Sequence, residues 1–378
     1  KRPTMTVRKR RLGATDLEIA PLVLGGNVFD WTADRKTSFA VLDAFVANGG
    51  TMIDTADVYS AWVDGHKGGE SESMIGAWLK ESGKRDRVLI ATKVGMLPGE
   101  GGEKLAPARI AAACEASLKR LGTDRIDLYY AHQDDEDVPQ EDALAAFGKL
   151  VDAGKVRVIG ASNFHARRLK SAVDIGKADR GLPRYHVLQP EYNLVSRAKF
   201  EGELQDYCIQ ENIGVLPYYG LASGFLTGKY RSTDDLGKSV RGGRMKDLLE
   251  GKGQHILAAL DQVAEETGAS LAQIALAWLI AQPGVTAPIA SATRPSPPMI
   301  QPENASGASP ASASIPRAPS RPAIPPPEAG STEPRPSTSS APTVASMTIA
   351  TSSRPTGFQR GHSPPSSVGP VHRPRPKT

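Results

Sequence analysis

Between Leu22 and Ala290, short apolar runs alternate with amphipathic stretches, and this rhythm limits the fold of the 378-residue chain more than any other feature. The apolar runs are 21–25, 50–54, 87–93, 126–132, 156–161, 185–189, 213–218 and 285–290. They carry no polar alternation, as expected of strands covered on both faces of a parallel sheet. Between them, 35–48, 71–82, 107–121, 140–153, 167–177 and 199–211 have helical spacing, most starting after Asp, Ser or Pro and ending near Gly. Ahead of the first strand, 7–12 and 17–19 flank Gly13-Ala14-Thr15-Asp16, a hairpin placed to plug a barrel floor. Eight such alternations in about 290 residues suit an α/β chain closed into a (β/α)8, or TIM, barrel. An open doubly wound sheet that binds a dinucleotide would carry Gly-x-Gly-x-x-Gly after its first strand, and Leu24-Gly25-Gly26-Asn27 does not.

The rhythm stops at Pro295. Of the 30 prolines, 20 lie in 295–378 among Ser, Ala, Thr and Arg without hydrophobic periodicity, which predicts a disordered tail. In a barrel, a helix after the eighth strand covers the seam with the first. Here Pro295, Pro297 and Pro298 stand in its place, so the eighth outer helix reads as missing. A bare seam exposes several large apolar side chains at roughly 1.5–3 kcal/mol each, against a net domain stability of about 5–15 kcal/mol. A Pro/Ser/Arg/Ala-rich string is what a shifted GC-rich frame encodes, and the native frame reads as lost near Pro295. An in-frame message across this junction in an independent isolate ends that reading. Residues 1–6 read as a disordered extension, Lys1 to Thr4 as upstream or vector sequence, and 7–294 as the barrel.

Eight of the 46 Lys and Arg fall in the tail against three of the 41 Asp and Glu, leaving 38 of each sign in the body. The pI of ≈ 9.1 therefore comes from a Pro-rich segment and not from a folded basic face with interleaved aromatics, which argues against a nucleic-acid partner. Cys114 and Cys208 are the only cysteines. They form neither a disulfide framework nor a Cys-rich metal site, so a reducing cytoplasm and no bound metal are expected. No signal-peptide pattern opens the chain and no apolar run is long enough to cross a bilayer, so no membrane partner is expected.

Four polar residues close or follow apolar runs. Asp54 and Tyr59 lie in Thr51-Met52-Ile53-Asp54-Thr55-Ala56-Asp57-Val58-Tyr59, while Lys93 ends 87–93 and His132 ends 126–132. The carboxyl ends of the strands are where a barrel keeps its chemistry. A phenol with pKa near 10 is a reluctant acid, so an adjacent ammonium is needed to favour the phenolate, and a buried lysine in turn needs a carboxylate. A phenol and an imidazole together form two donors for an oxygen that gains negative charge. Hydride cannot come from a side chain, so reduction requires a cofactor. Taken singly, Asp54 reads as a loop cap, Tyr59 as packing, Lys93 as a solvated strand end and His132 as a structural histidine. Together at consecutive strand ends they read as one site.

The constellation resembles the aldo-keto reductase superfamily over nearly all of 7–294. The Asp54 to Tyr59 stretch, Lys93, His132 and Gly160-Ala161-Ser162-Asn163-Phe164 occur in that family's order and approximate spacing. The resemblance implies NADPH-dependent reduction of aldehydes or ketones to alcohols, with Tyr59 as general acid, Lys93 and His132 tuning it, and Asp54 paired with Lys93. It also implies that Ser162, Asn163 and Gln189 hold the carboxamide of the cofactor, that Tyr218 stacks on its nicotinamide ring, and that Gly26 and Asn27 line its site. Gly220, Leu221, Ser223 and Gly224 offer backbone N–H groups to a pyrophosphate, and Ser291 with Arg294 is placed to meet an adenosine 2′-phosphate. Family contacts from the first turn of helix eight have no counterpart here. Trp31 and Trp62, in the loops after strands one and two, wall an apolar pocket for a small-molecule carbonyl substrate.

The insert 231–253, with Arg241 and Arg244, reads equally as a flap over the cofactor and as a solvated loop. A monomer or small homo-oligomer is expected. Two further readings stand beside the reductase: a regulatory subunit resembling the potassium-channel β subunits, and a defective, C-terminally altered chain.

Overall fold

The computed structural model describes residues 7–178 and 181–295. The expectations for the two ends, including the missing eighth outer helix, concern 1–6 and 296–378 and lie outside the described residues. The chain opens with an antiparallel pair, β1 (Arg10–Arg11) and β2 (Glu18–Ile19). Its turn uses Gly13 at φ 56, where an added Cβ would lie 2.4 Å from the Gly214 backbone nitrogen, so only glycine lets the hairpin press this closely on the barrel. Leu12, Leu17 and Ile19 are buried in one apolar cluster with Val23, Met52 and Leu128 from the strands. The hairpin is therefore the floor plug that its hydrophobic residues predicted.

Eight strands follow: β3 (Val23–Gly25), β4 (Met52–Asp54), β5 (Leu89–Val94), β6 (Ile126–Ala131), β7 (Val156–Ser162), β8 (Val187–Gln189), β9 (Gly214–Val215) and β10 (Ile289–Ala290). Each lies within or across one of the predicted runs. They pair in parallel in the order β10-β3-β4-β5-β6-β7-β8-β9. The cylinder closes where Thr286 N–H donates to the Val215 carbonyl (2.9 Å) and Ile289 N–H to the Pro217 carbonyl (2.8 Å). The last two strands are shorter than the runs that predicted them, because Pro217 and Pro288 have no N–H to continue a ladder.

The outer layer is α1 (Arg35–Ala47), α2 (Glu70–Ser82), α3 (Pro107–Leu121), α4 (Gln140–Asp152), α5 (Ala166–Lys177), α6 (Glu203–Gln210), α7 (Lys246–Leu249), α8 (Gly253–Thr267) and α9 (Leu271–Ala281). Local chemistry sets several starts. Asp34 accepts the Thr37 N–H at 2.8 Å, Pro107 opens α3, and Ser270 with Gln273 forms a capping box on α9. No helix among the described residues is long and apolar enough to cross a membrane. On the outer seam between β10 and β3, Leu22, Leu24, Val41, Phe45, Ala292 and Pro295 line an apolar groove.

The insert after β9 is docked in its second half. There Met245 and Leu249 are buried with Phe225, Leu226, Tyr230 and Leu257 in an apolar cluster against α8, while most of 231–243 is exposed. Its short 3-10 turns, Thr233–Lys238 and Gly242–Met245, have no helical repeat long enough to show in the sequence.

Candidate active site

Parallel pairing puts Asp54 beside Ala91 and Lys93 beside Tyr130, so the ends of β4, β5 and β6 stand side by side at one mouth of the barrel. Lys93 is wholly buried. Its ammonium donates to Asp54 Oδ2 (2.6 Å), to the Thr55 carbonyl (2.7 Å) and to the Tyr59 hydroxyl (3.2 Å), which uses all three of its protons. Asp54 Oδ1 accepts from Gln189 Nε2 at 2.8 Å. His132 follows β6, tied by its N–H to the Val94 carbonyl (2.8 Å), and its ring meets the edge of Tyr59 with centroids 6.0 Å apart. The four predicted residues therefore form one contiguous group.

Burial decides the protonation states. It pulls Lys93 down, but Asp54 and Tyr59 outweigh it and hold the ammonium above its ordinary range. Burial raises Tyr59 too, and the opposing charge of Lys93 does not cancel it, so the phenol keeps its proton at neutral pH and is available as a donor. His132 is driven well below its ordinary value by burial and then by Lys93, which leaves a neutral imidazole.

A second group surrounds the first. Ser162 Oγ donates to the Gln189 carbonyl (2.9 Å), Asn163 Nδ2 to the His132 carbonyl (2.8 Å), and Tyr218 OH to Asn163 Oδ1 (2.7 Å). Ser291 Oγ donates to Asn27 Oδ1 at 2.5 Å, joining the last barrel loop to the first, and Gly26 N–H donates to the Asp54 carbonyl at 2.7 Å. In the loop after β9, Ala222, Ser223 and Gly224 are successively left-handed (φ 46, 55 and 94) beside Gly220 and Leu221. This set suits a nicotinamide dinucleotide: two carboxamides and a hydroxyl answer an amide, a phenol ring supplies an aromatic face, and small residues let backbone approach phosphate. Arg294 differs from the rest. It is exposed and lines the apolar seam groove with Leu22 and Phe45.

Trp31 and Trp62 stand edge to face at 5.5 Å, and Trp62 continues to Tyr59 at 5.7 Å. The two tryptophans are thus one wall beside the phenol, with Trp62 still 48% exposed. Arg241 from the insert covers the Trp31 ring at 4.9 Å. No local signal links the insert to this wall, since 210 residues separate the two side chains and only the docked cluster brings them together.

The aldo/keto reductase family model matches residues 21–297. Among curated proteins, aldo-keto reductase YhdN of Bacillus subtilis is 34% identical over 293 residues, covering 75% of this chain and 82% of its own length. A probable voltage-gated potassium channel subunit beta of Arabidopsis thaliana is 32% identical over 300 residues (76% and 88%). L-glyceraldehyde 3-phosphate reductase of Escherichia coli is 31% identical over 297 residues (75% and 84%). The chain belongs to the aldo/keto reductase family, a family of nicotinamide-dependent oxidoreductases.

Proposed function

We propose that the protein reduces aldehydes or ketones to alcohols with NADPH. The observation that carries this reading is Lys93 Nζ, held between Asp54 Oδ2 at 2.6 Å and Tyr59 OH at 3.2 Å. In this reading Tyr59 donates its proton to the carbonyl oxygen, and the Lys93 ammonium stabilises the phenolate left behind. Asp54 keeps Lys93 charged. Neutral His132 donates a second hydrogen bond to the same oxygen and so favours the charge that develops there. NADPH, when bound, supplies the hydride. Ser162, Asn163 and Gln189 hold its carboxamide, Tyr218 covers one ring face, and Gly26, Asn27, Gly220, Leu221, Ser223, Gly224 and Ser291 line its path, whereas Arg294 stands on the seam groove and is not counted among them. Trp31 and Trp62 shape the substrate side, for which a small carbonyl compound is the expected ligand.

The test is a titration of NADPH into the purified chain followed by addition of aldehydes. Steady oxidation of NADPH is expected. Tyr59→Phe should lower kcat by roughly 10²–10⁴-fold, the span of general acid catalysis, with little change in NADPH affinity. Tight binding without turnover would instead favour a regulatory NADPH-binding role, which the likeness to the plant channel subunit makes the second reading. Absence of binding would defeat both.

A further inference from the structure

Behind Tyr59 lies a second buried ionic group that the proposed reaction does not use. Asp57, two residues before Tyr59, is fully buried, and its N–H donates to the Lys93 carbonyl at 3.2 Å. Arg109, in the first turn of α3, reaches out of its helix into this space. Its guanidinium donates to the carbonyls of Leu97 (3.0 Å) and Glu100 (3.2 Å), in the loop after β5, and lies 3.5 Å from Asp57 Oδ2, in the loop after β4. One side chain therefore spans the two loops that leave the Lys93 and Tyr59 strands. Leu97 also packs there: a Cβ on Gly68 would lie 2.8 Å from both the Asp57 carbonyl and Leu97 Cδ2.

We propose that Arg109 and Asp57 are positioning residues, a clasp that holds the Tyr59 loop against the loop after β5 and opens when Asp57 ionises. The inference rests on the reading of Tyr59 as the proton donor. Around the Asp57 carboxyl stand Glu72 from α2, Arg109 and Arg120 from α3, and the Tyr129 hydroxyl from β6 with the Cys114 thiol behind it. Glu72 is committed elsewhere, to Thr92 Oγ1 (2.5 Å) and Arg120 Nε (2.6 Å). Among the described residues, Asp57 Oδ1 and Tyr129 OH are buried without a hydrogen-bond partner. A carboxylate so placed is poorly compensated. Burial, then the charge of Glu72, push it up to about 7, against the pull of Arg109 and Arg120. The pull of Arg109 thus does not offset burial, so ionisation disfavours the closed arrangement, and the clasp loosens as pH rises through that value.

Two measurements test this. In the cofactor-free protein, hydrogen exchange over residues 55–69, corrected for intrinsic rates, should show protection that falls as pH rises through Asp57's titration. Asp57→Asn, which cannot ionise, should hold the low-pH protection at every pH. Arg109→Lys, which keeps the charge but cannot reach both loops, should show low protection throughout. With NADPH and an aldehyde, Arg109→Lys should lose roughly ten- to a hundredfold in kcat, the effect of a misplaced reacting group. KM and NADPH affinity should stay within about twofold, and the fall of kcat with pH near that titration should be absent from Asp57→Asn. Wild-type protection and kcat in Arg109→Lys, or a wild-type pH profile in Asp57→Asn, overturn the clasp. If Arg109→Lys fails to fold, Asp57→Asn and the wild-type pH dependence of exchange still decide. If wild type binds but never turns over, the reductase reading falls while exchange alone judges the clasp.

Discussion

Two carboxylates three residues apart, at the end of β4 and in the loop beyond it, meet opposite treatment. Asp54 has a lysine at 2.6 Å and a glutamine at 2.8 Å, one for each oxygen. Asp57 has an arginine at 3.5 Å on one oxygen and, among the described residues, nothing on the other. Both are buried, so both resist ionisation. What separates them is how completely the cost of burial is offset. Asp54 belongs to an ion pair whose ammonium is itself fully bonded. Asp57 sits near its titration point at neutral pH. Burial alone does not make a switch; burial with incomplete pairing does.

The largest expected effect on this contrast comes from Lys93→Met. It leaves Asp54 buried without its cation, at about 3–5 kcal/mol of folding stability, and it also removes the stabiliser of the Tyr59 phenolate. Chemical denaturation and single-turnover rates should therefore fall together; a variant that loses neither would remove the distinction drawn here.

A smaller effect separates Asp57 by pH. Because its folded pKa is raised to about 7, its contribution to stability is fully present below the unfolded value near 3.8 and is lost as pH rises through about 7. Asp57→Asn cannot ionise. Its stability relative to wild type should thus increase between those limits, by a few kcal/mol at most, with the two melting curves compared at each pH. The same variant should keep its turnover as pH rises, since its clasp has no charge to open it. The smallest effect is that of Glu72→Gln. Removing this neighbouring negative charge should move the Asp57 titration toward lower pH, by roughly one unit or less, read from the midpoint of the exchange profile. A midpoint that stays put, or moves up, would mean that Glu72 does not act on Asp57 as their proximity suggests.

Much of the architecture could be read along the chain. Strands buried on both faces must be apolar throughout, and Pro, Asp and Ser announce helix starts with local chemistry, so β3 to β8 and α1 to α5 fall where the pattern put them. Asp54, Lys93 and His132 were legible because a polar residue closing an apolar run needs a reason, and Tyr59 because it follows one of these ends within a loop. Two kinds of feature were not. The docked half of the insert hides its apolar residues in short turns without a repeat, so Met245 and Leu249 look like scattered side chains. The Asp57–Arg109 and Glu72–Arg120 pairs join residues 52 and 48 apart in the chain. Neither spacing carries a local signal.

The sequence by itself determined the barrel, its strand ends and the polar residues on them, because backbone geometry ties alternation of apolar and amphipathic segments to a parallel closed sheet. Only the tertiary structure decided which of two neighbouring aspartates is neutralised and which is left short of partners. Charge in a low-dielectric interior is settled by distances of an ångström or less between side chains that arrive from different loops, and such distances are written nowhere along the chain.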